Sequence, residues 1–290
     1  MELRAADSLD DALEVLSHRG DQCQVLAGGT DVMIQLARGE IAPAVLLHVE
    51  KLDELRGVEA NGDTRLGPLV THRDLAKGLL GERFRSIAES AATVGGLQTQ
   101  VVGTVGGNIC NASPAADTLP ALLVHDAQVT LRSSAASRTV PLQDFVVGRR
   151  ATTRGPDELL TAITLVTPGE RTGDVYLKVG RRSAMEVAIV GLAMRLAFDP
   201  DGTVNDARIA LASVGPCPMR SADAEAALVG GGLEPDSIDA AADAVLRDIT
   251  PMDDVRGSAA YRRRVIPGLL RKAADLCSQR AGTGSPDGEG

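Results

Sequence analysis

The chain is poor in aromatic residues: its 290 residues include two tyrosines, three phenylalanines and no tryptophan. Proteins that bind single-stranded nucleic acid stack bases on aromatic side chains and follow the backbone with a basic groove. Here 39 acidic residues outnumber 30 lysines and arginines, which gives a formal net charge of −9. Because the chain has few aromatic side chains on which bases could stack and no excess of basic residues, we predict no nucleic-acid partner.

The sequence also lacks the spacings of metal-binding residues. It contains no Cys-x-x-Cys pair and no His-Glu-x-x-His pattern, which argues against a zinc site, an iron–sulfur cluster and a disulfide framework. We therefore predict no metal site in this chain, buried free thiols, and histidines at surface or helix-cap positions. The residues concerned are Cys23, Cys110, Cys217, Cys277, His18, His48, His72 and His125.

Long hydrophobic runs are missing as well. No stretch approaches the roughly 18 consecutive apolar residues that indicate a membrane-spanning helix. The opening MELRAADSLD has no apolar stretch after a basic start, as a secretory signal would. We expect a cytoplasmic protein without a membrane span.

The usual nucleotide-binding signatures are absent, but two glycine clusters stand out. No G-x-G-x-x-G and no Gly-Lys pair occurs, so a P-loop is excluded and a Rossmann fingerprint is unsupported. LAGGTD at 26–31 and GTVGGNICNASPAADTLPALL at 103–123 carry the pairs Gly28-Gly29 and Gly106-Gly107. Glycine lets backbone amides approach a bulky anion such as a diphosphate, although two tight structural turns would explain the same glycines. Thr-Val-Gly-Gly also occurs at 93–96, an echo of 104–107 that we interpret as chance.

Periodicity predicts an α+β chain in two parts. Capping patterns at Ser8 and at Thr71 begin predicted helices, and short apolar runs between helices predict strands. After the turn-rich VTPGERTG, strand-like segments separated by turn residues indicate an antiparallel meander, which alanine- and leucine-rich helices follow. We predict one domain over 1–170, a second of small antiparallel sheet plus helices over 171–281, and a disordered tail over 282–290.

Four segments together resemble the flavoprotein subunit of molybdenum hydroxylases, the family of xanthine and carbon monoxide dehydrogenases. They are LAGGTD at 26–31, GTVGGNICNASPAADTLPALL at 103–123, YLKVGRRSAMEVAIVGLA at 176–193 and DDVRGSAAYRRRVIPGLLRKAA at 253–274. The resemblance implies a two-part FAD-binding domain of the vanillyl-alcohol-oxidase or PCMH type. It also implies an oxidoreductase that works as a heterotrimer, with a molybdenum–pterin cofactor in a large partner subunit and two [2Fe–2S] clusters in a small one. Electrons would leave the flavin to NAD or another acceptor.

The resemblance also implies which residues hold FAD, and it implies no catalytic base in this chain. Two loops would wrap the diphosphate, Asp117 would bind hydroxyls of the flavin's sugar-like chain, and two further residues would lie near the ring systems. The full set is Val25, Leu26, Ala27, Gly28, Gly29, Thr30, Asp31, Thr104, Gly106, Gly107, Asn108, Asp117, Leu160 and Lys178.

Several of these positions have a simpler alternative. A carboxylate accepts hydrogen bonds from hydroxyl groups, but Asp117 could equally cap the helix predicted after it. Lys178 could stabilise negative charge on a reduced flavin, or it could be an ordinary exposed lysine. Arg181 and Arg182 could contact a partner subunit or the phosphates of a nicotinamide cofactor, or simply be solvated.

Two other functions remain open at this point. A stand-alone FAD-dependent oxidoreductase would use the same glycine loops, but it would need its own substrate base, and none stands out. A non-catalytic scaffold that has lost FAD is the second alternative, and the intact glycine loops disfavour it. Bound flavin and turnover by the isolated chain distinguish these possibilities.

Overall fold

A computed structural model describes residues 1–182 and 185–282. The strands, in chain order, are β1 (Glu2–Ala5), β2 (Cys23–Leu26), β3 (Val45–His48), β4 (Val58–Asn61), β5 (Asp63–Leu66), β6 (Gln128–Arg132), β7 (Ser137–Pro141), β8 (Val146–Gly148), β9 (Ala151–Thr152), β10 (Leu159–Leu165), β11 (Thr172–Val179), β12 (Val190–Phe198), β13 (Val204–Ala212) and β14 (Met219–Arg220). The α-helices are α1 (Leu9–Arg19), α2 (Val32–Ala37), α3 (His72–Ala76), α4 (Arg85–Ala92), α5 (Leu97–Val102), α6 (Val105–Asn111), α7 (Thr118–Val124), α8 (Leu142–Phe145), α9 (Ala222–Leu228), α10 (Pro235–Asp248) and α11 (Ala259–Arg280). The predicted α+β class is confirmed. Of the predicted tail, residues 283–290 lie outside the described residues.

The N-terminal part contains a parallel sheet, a larger antiparallel sheet and the short two-stranded sheet of β8 and β9. A parallel sheet in the order β1-β3-β2 packs on α1, whose Leu13 and Leu16 are buried with Leu47 of β3. An antiparallel sheet in the order β4-β5-β10-β6-β7 forms the second layer of this part. Ser8 caps α1 by accepting a hydrogen bond from the Asp11 N–H at 3.1 Å, as its sequence pattern predicts.

The C-terminal part contains the predicted antiparallel meander, in the order β11-β12-β13-β14. Helix α11 packs on β11 and β12, while α4 and α7 from the N-terminal part pack on strands of the same sheet. Burial on both faces explains why β12 is almost continuously apolar instead of alternating. VAIVGLAMRLAF at 187–198 is one of the strand-like segments of the sequence, but β12 begins only at Val190.

Side chains of the two parts share a buried cluster. Tyr176, Ala193 and Ala210 from the C-terminal sheet are buried together with apolar residues of α4 and α7. The predicted boundary at 170 and 171 falls between β10 and β11 and stays a prediction. The interface is nevertheless extensive enough to place residues of both parts at one site.

Candidate functional site

The first glycine loop, residues 27–31, connects β2 to α2. A Cβ atom on Gly28 would lie 1.6 Å from the carbonyl oxygen of Val102, the last residue of α5, so no side chain fits there. Gly29 has a φ of +72°, in the left-handed region that favours glycine. The two glycines are therefore needed for different reasons, one for close packing and one for backbone conformation.

This first loop leaves its backbone donors unused. Within residues 1–182 and 185–282, no acceptor is bonded to the N–H groups of Gly28, Gly29, Thr30 or Asp31. All four residues line a cleft of about 850 Å³. Because backbone N–H groups away from bulk water normally have partners, four consecutive free donors at a cleft form a suitable site for an anion.

The second glycine loop, residues 103–108, is irregular only at Gly103 and Thr104, because residues 105–108 form the first turn of α6, and it packs tightly against the segment before α3. The Gly106 N–H donates to the Pro68 carbonyl oxygen at 2.9 Å, and a Cβ atom on Gly106 would lie 2.5 Å from the Cβ of Pro68. Thr104 caps α6 by accepting from the Gly107 N–H at 3.1 Å. A Cβ atom on Gly107 would lie 2.9 Å from this Thr104 hydroxyl, which would have to shift, and no other neighbouring group lies within 4 Å.

Nearly all predicted site residues lie around the one cleft. Leu26 does not line it, because its side chain is buried beneath the first loop. Lys178 does not line it either, but its ammonium group is bonded to Asp117, which does. The predicted residues that do line the cleft are Val25, Ala27, Gly28, Gly29, Thr30, Asp31, Thr104, Gly106, Gly107, Asn108, Asp117 and Leu160.

Asp117 is held by two side chains of β11. Its Oδ1 accepts a hydrogen bond from the Tyr176 hydroxyl at 2.7 Å, and its Oδ2 accepts from the Lys178 ammonium at 2.8 Å. Burial raises the pKa of the Asp117 carboxyl, while the charge of Lys178 opposes this shift. Although Asp117 precedes α7, its side chain makes no capping bond, so the capping alternative is wrong. The exposed-lysine alternative is also wrong, since Lys178 has only 11% of its side chain exposed.

Family models cover most of the chain. The model for the FAD binding domain in molybdopterin dehydrogenase matches residues 1–167, and that for the CO dehydrogenase flavoprotein C-terminal domain matches residues 175–276. The chain belongs to the FAD-binding subunits of the molybdenum hydroxylases. It is thus a flavoprotein subunit of the oxidoreductase family that includes xanthine and carbon monoxide dehydrogenases.

The similarity to individual proteins of this family supports the assignment. The flavoprotein subunit is 30% identical over 281 residues to the xanthine dehydrogenase FAD-binding subunit of Escherichia coli, with 96% of each chain covered. It is 32% identical over 272 residues to the glyceraldehyde dehydrogenase medium chain of Sulfolobus acidocaldarius, with 92% of this chain and 95% of the relative covered. Its structure matches a chain of carbon monoxide dehydrogenase from Hydrogenophaga pseudoflava with a TM-score of 0.92 and 28% identity, covering 97% and 98% of the two chains.

The charged groups around the cleft of this flavoprotein subunit are mostly paired. Glu40 pairs with Arg150, Asp117 with Lys178, and Glu186 with the exposed Arg181 and Arg182. The Arg154 guanidinium donates to the carbonyl oxygens of residues 155 and 158. Asp31 has no ion pair among the described residues, and burial raises the pKa of its carboxyl. A diphosphate in this cleft would therefore rely mainly on neutral donors.

Some cleft residues were not predicted from the sequence. Arg150 and Arg154 line the cleft from the segment between β8 and β10. The Thr-Val-Gly-Gly echo does so too, since Gly95 and Gly96 stand at the cleft with Gly106 and Gly107. The repeated tetrapeptide is the sequence feature that indicates Gly95 and Gly96 as cleft residues, and an interpretation of the repeat as chance overlooks them.

The expectation of surface or cap positions for the histidines is wrong for His72, which is 3% exposed, lies in the first turn of α3 and lines the cleft. His125 is at a cap position, since it is the C-cap residue of α7, but it is fully buried and lies away from the cleft. The four cysteines are free, as predicted, and two of them, Cys23 and Cys277, are buried. Within the described ranges no helix is both long and apolar enough to span a bilayer, and no group of side chains has a metal-binding arrangement.

The residues at this site fit FAD. The free N–H groups of the first loop suit a diphosphate, and the glycines admit it closely. The Asp117 carboxylate has about four acceptor positions, and only two are used by Tyr176 and Lys178. The remaining ones can accept from sugar-like hydroxyls.

Proposed function

We propose that this chain is the electron-transfer subunit of a heteromeric molybdenum hydroxylase. A large partner subunit would carry the molybdenum–pterin cofactor and oxidise the substrate, and a small one would carry two [2Fe–2S] clusters. Electrons would pass from those clusters through this subunit to NAD or another acceptor. We infer a cytoplasmic assembly, in keeping with the sequence.

The observation that carries the proposal is the row of four unused N–H groups at the cleft. It supports FAD binding by the first loop, and the family membership supports the redox role. When bound, FAD would supply the transfer of electrons between one-electron carriers and a two-electron acceptor. The chain's own task is to bind the diphosphate, orient the flavin and limit its exposure to water.

Particular residues would have particular tasks. Residues 27–31 would donate to the diphosphate, and Thr104 and Asn108 would border it from the second loop. Asp117, fixed by Tyr176 and Lys178, would accept from a hydroxyl of the flavin's side chain. We also propose that the parallel and antiparallel sheets of residues 1–170 are the two halves of a vanillyl-alcohol-oxidase or PCMH-type domain. This view is supported by the lining of the cleft, to which β2 of the one sheet and β10 of the other both contribute residues.

The full-length chain provides the first test. We expect it to purify with FAD, or to take up FAD when refolded apoprotein is titrated, as measured by flavin absorbance and by analysis of the released cofactor. A folded chain that takes up no FAD would contradict the proposal.

A second test addresses the assembly and the acceptor. Tagged chain should copurify from its native source with a large molybdenum-containing chain and a small iron–sulfur chain. NADH should bleach the flavin absorbance of the complex if NAD is the acceptor, whereas unchanged absorbance would point to another acceptor. Turnover of an organic substrate by the isolated chain would favour the stand-alone oxidoreductase instead.

A further inference from the structure

The two buried histidines of this chain share an unpartnered Nδ1 but differ at Nε2. His125 Nε2 lies 2.9 Å from a carboxylate oxygen of Asp174 and 3.2 Å from the Ser86 hydroxyl, and His125 does not line the cleft. His72 lines the cleft, and its ring nitrogens have no partner among the residues that the structure describes. Because buried polar groups are normally hydrogen-bonded, an unpartnered imidazole at a ligand cleft calls for an explanation.

The position of His72 is fixed by the second glycine loop. Thr71 and Thr104 form an antiparallel bridge, in which the His72 N–H donates to the Gly103 carbonyl oxygen at 3.0 Å. A capping box between Thr71 and Asp74 fixes the start of α3. The backbone of His72 is therefore held from both sides, and its side chain has little freedom to move away.

The imidazole ring lies at the seam between the two glycine loops. A Cβ atom built on Gly103 would lie 3.1 Å from His72 Cδ2 and 3.5 Å from the Thr30 hydroxyl oxygen. Gly103 of the second loop is thus close both to the His72 ring and to Thr30 of the first loop, whose N–H groups are free. The atom of the ring next to Cδ2 is Nε2.

The two ring nitrogens differ in access. Nδ1 is closed off from solvent and has no partner, whereas Nε2 is not closed off in this way. Burial lowers the pKa of His72 to about 4, so the ring is neutral at pH 7 and carries one N–H donor. No charged side chain contributes to this shift.

We propose that His72 is a binding residue for the diphosphate of the cofactor, to which its neutral imidazole donates the Nε2 hydrogen across the seam between the loops. This inference rests on the proposed FAD-binding function. It agrees with the pairing of the cleft's arginines, which leaves neutral groups to bind the anion. A neutral donor also costs less to bury than an imidazolium.

Three variants of the full-length chain test the inference. His72→Phe keeps a planar ring without a donor, and His72→Gln keeps an amide donor near the place of Nε2. His125→Phe is the matched control, because it removes an equally buried histidine away from the cleft. Apoprotein of each variant is titrated with FAD, with ADP and with riboflavin, which has no phosphate.

We expect His72→Phe to weaken binding of FAD and ADP about 10-fold or more, the usual loss for a hydrogen bond to a charged group. Riboflavin affinity should stay within about 2-fold of the wild type, and His72→Gln should recover most of the FAD affinity. His125→Phe should lower the melting temperature without this selective loss. Equal losses for riboflavin and ADP would overturn the inference.

Nuclear magnetic resonance supplies a readout that needs no variant. The ¹⁵N spectrum of wild-type holoprotein should show His72 protonated at Nε2, and an unprotonated Nε2 would overturn the inference even if His72→Phe fails to fold. The ³¹P signals of bound FAD should shift in His72→Gln and stay in place in His125→Phe. If wild-type chain binds FAD and His72→Phe binds it equally well, only this inference fails; if wild-type chain binds no FAD, the proposed function fails.

Discussion

The two glycine loops look alike in sequence, but they use their backbones in opposite ways. In the first loop, the N–H groups of residues 28–31 have no partner within the described parts of the chain. In the second, the N–H groups of residue 103 and of residues 105–108 all donate to protein acceptors. The first loop therefore presents donors to the cleft, while the second is built into the fold and supplies shape and side chains.

The largest effect that tests this contrast is expected for Gly28→Ala. A methyl group 1.6 Å from the Val102 carbonyl oxygen cannot be accommodated without moving two backbone segments, a cost above the roughly 1–3 kcal/mol of ordinary overpacking. We expect little folded protein and no FAD, measured by circular dichroism and flavin content. Gly268→Ala is the control, because nothing lies within 4 Å of its added Cβ. A stable, FAD-replete Gly28→Ala would remove the packing explanation.

A large loss of stability is also expected from a change at Asp117, which follows the second loop in the chain and whose side chain bonds to Tyr176 and Lys178. Asp117→Ala leaves the largely enclosed Lys178 ammonium, whose side chain is 11% exposed, without its carboxylate, and it should lower the free energy of unfolding by up to about 3 kcal/mol. Asp117→Ala combined with Lys178→Met should recover part of this loss, because no buried charge is then left unpaired. Denaturant titration of the apoproteins measures the free energy of unfolding of the single and the double variant. If the double variant is no more stable than Asp117→Ala, the loss of stability does not come from the unpaired Lys178 charge.

Acid should destabilise the apoprotein through His72 at the seam between the loops. The pKa of this group is about 4 in the folded chain against 6.5 in its ordinary state, so between these values the unfolded chain binds more protons. Stability contributed by the neutral ring is complete above pH 6.5 and falls by up to about 3 kcal/mol as the pH drops toward 4. His72→Gln should lack this component. Parallel stability curves for the wild type and His72→Gln from pH 4 to pH 8 would contradict it.

A more selective effect is expected for Gly107→Val in the second loop. Because the added Cβ would lie 2.9 Å from the Thr104 hydroxyl that caps α6, this hydroxyl must shift, and the apoprotein should lose about 1–2 kcal/mol, the value of a lost helix cap. The valine side chain would extend into the cleft and should lower FAD affinity at least about 10-fold by obstructing the diphosphate. Thermal melts and FAD titration separate the two quantities. Unchanged affinity would place the diphosphate away from Gly107.

The smallest effect is predicted for salt. Since the arginines at the cleft are already bonded to protein groups, the anion would be held by neutral donors. The dissociation constant of FAD should then change by less than about 3-fold between roughly 0.05 and 0.5 M salt, where exposed charge pairs are strongly screened. A steep loss of affinity would show that Arg150 or Arg154 changes partners to bind the anion.

The parts of this site that could be predicted are those determined by local sequence. The glycine pairs at 28–29 and 106–107 indicated loops of close backbone approach, and turn residues indicated the meander of β11 to β13. The partners of Asp117 could not be foreseen, because Tyr176 and Lys178 follow it by 59 and 61 residues. The burial of His72 likewise depends on the bridge between Thr71 and Thr104. Such contacts follow from tertiary packing, which no residue pattern near them reveals.

Because Tyr176 and Lys178 of β11 orient the Asp117 carboxylate, the two parts of this protein cannot be separated without changing the site. A fragment ending before Thr172 would keep both glycine loops but lose the phenol and the ammonium group that orient the carboxylate. Chimeras that exchange the C-terminal part between relatives would have to bring a matching tyrosine and lysine with it. For protein engineering, the unit of exchange is therefore the whole chain rather than either part.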